Sequence, residues 1–108
     1  MQESVAIHIP IAYSEIAAFC ARWKIVELAL FGSVLREDFS PASDIDVLFV
    51  RRGNQRHTWT ELVKMKAELE QLFKRPVDLI PKKAVEEDSN YLRRNAILSS
   101  AQVIYAER

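Results

Sequence analysis

The chain has 108 residues, 49% of them hydrophobic, and its 15 basic and 15 acidic residues give a formal net charge of zero. This length and composition predict one folded domain over residues 1–108 and exclude an intrinsically disordered chain. The neutral balance provides no general attraction to nucleic acid or to a membrane surface, so we expect neither as a direct partner.

The expected compartment follows from the cysteine count and from the absence of long apolar segments. Cys20 is the only cysteine, which excludes an internal disulfide and suits a reducing environment. No apolar run approaches the length of a membrane span, and the N-terminus lacks the charged and apolar regions of a signal peptide. These features predict a cytoplasmic protein.

The first predicted elements are a short alternating segment and an amphipathic helix. Residues 5–9 alternate in polarity, as expected of an edge segment or a docking arm. Residues 11–23 place Ile16, Phe19 and Cys20 at helical spacing, which predicts a helix packed on a sheet. Because Cys20 lies on the apolar stripe, we interpret it as a buried structural thiol.

A strand–turn–strand unit follows. Residues 27–31 and 45–50 are rich in apolar and β-branched residues without helical spacing, which predicts two strands. The connection between them contains Gly32 and Ser33, a predicted single helical turn over residues 34–37, and a second turn at residues 40–41.

Two carboxylates stand at the start of the second of these strands. Asp44 and Asp46 lie two residues apart, so their side chains point to the same face, with Cα atoms roughly 6–7 Å apart. Two such like charges disfavour each other's ionised form, and a divalent cation removes the conflict; oxygen ligands favour magnesium. Gly32 and Ser33 allow a close approach of the backbone to phosphate. The pattern predicts a nucleoside triphosphate site, although an ordinary Gly-Ser turn beside two exposed aspartates remains the alternative.

The next segment contains a basic stretch and a second helix. Residues 51–56 contain three arginines and read as an exposed loop, either a solvated connector or a contact for phosphate or an acidic partner. Thr58 and Glu61 form a capping-box pattern that opens a helix to about residue 74, before Pro76. The predicted buried face of this helix consists of Leu62, Met65, Leu69, Leu72 and Phe73.

A third strand is predicted over residues 77–80, and it carries Asp78 among aliphatic residues. A lone buried carboxylate is costly without a partner or a metal, so Asp78 either turns to solvent or joins Asp44 and Asp46 as a third acid. Residues 86–98 are expected to form a helix with Leu92, Ala96 and Ile97 facing inward, and residues 103–105 a last strand.

The run Phe31-Gly32-Ser33, followed after ten residues by Asp44-Ile45-Asp46, resembles the core motif of the DNA polymerase β-like nucleotidyltransferase superfamily. The chain is most similar to the minimal nucleotidyltransferases, small proteins that are often partnered with HEPN-domain proteins. Arg36 and Asp38 fall where that family often has an Arg-x-Asp pattern, with Glu37 in place of the usual small residue.

The resemblance implies an α/β nucleotidyltransferase fold, a small mixed twisted sheet with helices packed mainly on one side. It implies Asp44, Asp46 and Asp78 as catalytic and magnesium-binding residues. Nucleotide binding is expected from Gly32, Ser33, Arg36 and Ser43.

The activity implied by the resemblance is magnesium-dependent transfer of AMP from ATP to a tyrosine hydroxyl of a cognate HEPN ribonuclease toxin. The chain would then be a type VII-like antitoxin. Other functions stay open: an antitoxin that neutralises by binding alone, transfer to a small molecule such as an aminoglycoside, or a structural α/β domain without nucleotide binding. Homo-oligomers and hetero-oligomers both stay open.

Overall fold

A computed structural model of the chain describes residues 9–35, 43–54 and 56–107. Its helices are α1 (Tyr13–Trp23), α2 (Trp59–Phe73), α3 (Lys82–Glu86) and α4 (Tyr91–Ser100), and its strands are β1 (Ile25–Phe31), β2 (Ile45–Arg51), β3 (Val77–Pro81) and β4 (Gln102–Ala106). Short 3-10 turns follow β1 at Gly32–Leu35 and β2 at Arg52–Asn54. The predicted segment over residues 5–9 lies outside the described residues except for its last member. Within the described part of the chain, no helix is long and apolar enough to span a membrane.

The four strands form one mixed sheet in the order β3-β2-β1-β4. β1 is antiparallel to both β2 and β4, whereas β2 and β3 are parallel. A parallel pair needs a long crossover connection, and α2 provides it between β2 and β3. The predicted small mixed sheet is confirmed.

The two longer helices cover one face of the sheet. α1 contributes Ile16, Phe19 and Cys20 to the core beneath it, and α2 contributes Met65 and Leu69. α2 begins as predicted, with Thr58 and Glu61 satisfying each other's backbone N–H groups in a capping box. The burial of the Cys20 thiol raises its pKa to about 12, which agrees with a structural role.

Helices α3 and α4 pack on the opposite face, against a smaller cluster formed by Ala29, Phe31, Leu48 and Val85. Helices therefore lie on both faces of the sheet, and the two longer helices, α1 and α2, share one face. The prediction of a single helix over residues 86–98 is wrong, because a non-helical break at residues 87–90 separates α3 from α4. Asn90 ends the break by accepting a hydrogen bond from the backbone N–H of Arg93, as an N-cap residue does.

The predicted inward face of this last helix also needs correction. Ile97 packs toward the sheet as predicted, together with Leu98, which was not predicted. Leu92 is 69% exposed and Ala96 is exposed as well. α4, every residue of which is described, has no fully buried side chain.

The arginine-rich segment over residues 51–56, predicted to be an exposed loop, begins with a buried residue. Arg51 is the last residue of β2 and is only 5% exposed. Its guanidinium donates to the carbonyls of Trp23 (2.9 Å) and Arg56 (3.2 Å) and lies 3.5 Å from Glu61. Arg52 forms an exposed ion pair with Glu107 at 2.6 Å. Arg51 therefore ties α1 to the start of α2 and is engaged inside the fold.

Candidate active site

The turn after β1 places Gly32 against a carboxylate of β2. Gly32 has a φ of +77°, a conformation that side chains rarely tolerate. Phe31 is the register partner of Asp46 across the antiparallel pair, so the residue after Phe31 arrives beside that aspartate. A Cβ on Gly32 would overlap Asp46 Oδ2 and lie 3.3 Å from Asp46 Cγ. Val34, fully buried, anchors the turn to the core.

Asp78 occupies the register position next to Asp46. The two residues are Cα partners in the parallel β2–β3 pair. Side chains at paired positions of neighbouring strands point to the same face of a sheet, so Asp78 lies on the face that carries Asp46. Ile45 and Val77, one residue earlier on each strand, are buried in the core on the opposite face.

Asp44 immediately precedes β2 and lies two residues before Asp46. Asp44 and Asp78 are exposed, whereas Asp46 is partly buried. Asp78 is thus exposed to solvent and also lies beside Asp46. The two alternatives from the sequence, a solvent-facing residue or an acid next to Asp46, are therefore compatible with one position. We call Asp44, Asp46 and Asp78 the acidic row.

The remaining predicted site residues differ in how the structure describes them. Ser43 immediately precedes the acidic row and is partly buried. The backbone of Ser33 belongs to the 3-10 turn after β1. Arg36 lies outside the described residues, as do Glu37 and Asp38.

The donor atoms of the acidic row are carboxylate oxygens, the ligands that magnesium prefers. In chemical type the residues therefore fit a magnesium ion. In spacing they are not assembled around one, since among the described residues no group of three or more His, Cys, Asp or Glu side chains converges closely enough to hold a metal. The register places Asp46 beside Asp78, and Asp44 lies two residues before Asp46.

A cavity of about 650 Å³ opens at the other end of the sheet. Its lining includes Glu27, Arg51, His57 and Lys82. Two of these residues form an ion pair, with Lys82 Nζ 2.9 Å from Glu27 Oε2. None of the described candidate residues lines it. We place the candidate site at the acidic row, because Gly32, with its positive φ, lies against Asp46 and Asp78 is the register partner of Asp46.

Comparisons with known proteins agree with the fold described above. The model of the nucleotidyltransferase domain family matches residues 15–104. A Methanocaldococcus jannaschii protein named as a candidate protein adenylyltransferase is 33% identical over 64 residues. That match covers 59% of this chain and 64% of the relative, which is less than two thirds of the relative's length.

Solved structures share the fold over most of the chain. A toxin–antitoxin structure with AMP-PNP superposes with a TM-score of 0.67 at 16% identity, covering 91% of this chain and 76% of the other. A structure described as a candidate minimal nucleotidyltransferase gives a TM-score of 0.63 at 27% identity, covering 83% of this chain and 86% of that one. The MntA-HepT toxin–antitoxin structure gives 0.58 at 16% identity, with 87% and 69% covered.

Proposed function

Because this chain belongs to the nucleotidyltransferase domain family, we propose that it transfers AMP from ATP to a hydroxyl group of a partner protein. The observation that carries the proposal is the register that places Asp46 beside both Gly32 and Asp78. The turn brings backbone that can approach phosphate closely, and the Asp46 carboxylate against Gly32 provides a place for a counter-cation.

Each part of the site has a separate task in this proposal. The backbone of the turn at Gly32 and Ser33 holds the triphosphate of the donor, with Arg36 and Ser43 as further nucleotide contacts. Asp44, Asp46 and Asp78 would hold magnesium, which supplies charge stabilisation for the entering and leaving oxygens when bound. The Asp78 carboxylate, which is exposed, takes the proton of the attacking hydroxyl.

The reaction is an in-line displacement at the α-phosphorus. A bond forms between the acceptor oxygen and that phosphorus, and the bond to the bridging oxygen of the leaving pyrophosphate breaks. The proton of the acceptor passes to an Asp78 carboxylate oxygen and then to solvent. The chain's own contribution is the positioning of charged groups on a rigid sheet.

We propose a HEPN ribonuclease toxin as the acceptor, modified on a tyrosine, in the cytoplasm. The toxin–antitoxin structures with the same fold and the relative named as a candidate adenylyltransferase support this proposal. The neutral charge of the chain supports a protein acceptor over RNA. An AMP group on the toxin would add a negative charge where an RNA backbone has to bind.

Co-expression with the protein of the neighbouring reading frame, followed by intact-mass measurement of that protein, tests the proposal. We expect a mass increase of one AMP residue with the wild-type chain and no increase with Asp46→Asn. Glu86→Gln removes an exposed carboxylate at the opposite end of the sheet and serves as the matched control, with modification unchanged. An unmodified partner held in a tight, inactive complex would instead establish neutralisation by binding.

A further inference from the structure

The position of Asp78 depends on how the chain enters β3. Only Lys74, Arg75 and Pro76 separate the end of α2 from the first residue of this strand. Lys74 has a left-handed backbone, with a φ of +57°, which a residue with a side chain adopts only where its surroundings hold it. The turn is therefore tight, and Asp78 is the second residue of the strand that follows it.

Glu70, in the last turn of α2, accepts the backbone hydrogen bonds of this turn. Its carbonyl oxygen accepts from the N–H groups of Lys74 and of Arg75, the second at 3.3 Å. Its carboxylate Oε2 accepts from the N–H of Val77 at 3.0 Å. Because Pro76 has no N–H, every backbone N–H of the turn and of the first residue of β3 is donated to Glu70.

The backbone just before Asp78 is held from two sides. On the side of β2, the carbonyl of Pro76 accepts from the N–H of Ile45 at 3.0 Å. β3 is the last strand on its side of the described sheet, and such an edge strand turns alternate backbone groups away from its neighbour. Val77 is 3% exposed, so its N–H needs an acceptor from the protein, and the carboxylate of Glu70 provides it.

The position of β3 decides where Asp78 stands relative to Asp46, because the two residues are Cα partners in the parallel pair. Glu70 belongs to α2, whose buried residues lie in the core on the face opposite the acidic row. We infer that Glu70 is a positioning residue for the reaction, which holds Asp78 beside Asp46 through the backbone of Val77. This inference rests on the proposed nucleotidyl transfer.

Three substitutions of Glu70 separate the reach of its side chain from its charge. Glu70→Gln keeps the length and an acceptor oxygen but removes the charge. Glu70→Asp keeps the charge on a side chain that is shorter by one methylene group, and Glu70→Ala removes both. Only the first of these variants can still accept the hydrogen bond from Val77.

Glu68→Ala is the matched control. Glu68 lies on the same helix and is partly buried like Glu70. It accepts hydrogen bonds from Arg22 at 2.6 Å and from the indole N–H of Trp23 at 3.1 Å, and both of these residues belong to α1. Its removal therefore weakens the contact between α1 and α2 and leaves the turn before β3 intact.

The assay is the rate of AMP transfer from magnesium-ATP to the protein of the neighbouring reading frame, followed by intact mass below the melting temperature of each variant. We expect kcat to fall about 10- to 100-fold in Glu70→Asp and Glu70→Ala, the loss that follows from misplacing a reacting group by roughly 1 Å. The KM for ATP should keep its wild-type value, because the proposed triphosphate contacts lie at the turn after β1. Glu70→Gln and Glu68→Ala should keep the wild-type kcat, although Glu68→Ala lowers the melting temperature.

Wild-type kcat in Glu70→Asp would overturn the inference, and so would a loss in Glu70→Gln as large as that in Glu70→Asp. This comparison decides even if Glu70→Ala does not fold. An equal fall of kcat in Glu68→Ala would assign the effect to stability alone and would also overturn the inference, as would a raised KM for ATP at unchanged kcat. In each of these outcomes the wild-type chain transfers AMP, so the proposed function stands. If the wild-type chain leaves the partner unmodified, the proposed function and the inference both fall.

Discussion

Gly32→Ala is the substitution that separates backbone strain from interference with the site. The left-handed conformation at φ +77° costs a residue with a side chain roughly 1–2 kcal/mol. For a domain of this size that corresponds to a fall in melting temperature of about 4–16 °C. The new Cβ also overlaps Asp46 Oδ2, so either the carboxylate or the turn has to move.

Gly53→Ala is the matched control for this substitution. Gly53 also has a positive φ, +62°, but among the described residues none apart from its chain neighbours lies within 4 Å of a Cβ built there. We expect thermal unfolding to report a loss of stability in both variants, at least as large in Gly32→Ala, where the carboxylate of Asp46 or the turn also has to move. Isothermal titration should report loss of magnesium-ATP binding in Gly32→Ala alone. Wild-type nucleotide affinity in Gly32→Ala would refute the placement of the phosphates at this turn.

Three further predictions concern contacts of the fold away from the candidate site. Arg51→Met leaves two backbone carbonyls without the guanidinium that donates to them, and it should lower the free energy of unfolding, measured by urea denaturation, by about 2–3 kcal/mol. Arg52→Met breaks only an exposed ion pair and should lower it by no more than about 1 kcal/mol. Equal effects of the two substitutions would contradict the buried role of Arg51. Cys20, with a pKa of about 12, should react with a thiol reagent at pH 8 only as fast as the protein opens, so immediate labelling of the folded chain would contradict its burial. The backbone N–H of Thr58 lowers the pKa of Glu61 below its usual 4.5, so this hydrogen bond stabilises the fold above pH 4.5, and the stabilisation is lost as the pH falls through the pKa of Glu61 in the folded protein. Glu61→Gln should flatten this part of the pH dependence of the free energy of unfolding, measured in urea. An unchanged pH dependence would refute the assignment.

The parts of the site that lie within one strand–turn–strand unit could be predicted from the sequence. The glycine turn and the same-side pair Asp44 and Asp46 depend on local periodicity, and the capping box at Thr58 depends on spacing of three residues. Such features need no knowledge of which strands become neighbours. The bounds of β2 and β3 accordingly differ from the prediction by one residue each.

Features that depend on distant residues were not accessible in the same way. The pairing of Asp46 with Asp78 is a register between strands separated by α2, which no local pattern specifies. The burial of Arg51 depends on backbone carbonyls of Trp23 and Arg56, which lie in two other segments. From the sequence alone, the arginine-rich stretch was therefore predicted to be an exposed loop. The break before α4 had a local signal in Asp88-Ser89-Asn90, since these residue types favour turns and N-caps over helix interiors.

The central claim is that the acidic row and the turn at Gly32 form one magnesium-dependent ATP site. Its most direct test is the ATP affinity of the wild-type chain and of Asp46→Asn, each titrated with and without magnesium, with Glu86→Gln as control. We predict that magnesium strengthens ATP binding in the wild-type and control proteins and has no such effect in Asp46→Asn. Equal ATP affinity in all three proteins, with or without magnesium, would contradict the claim.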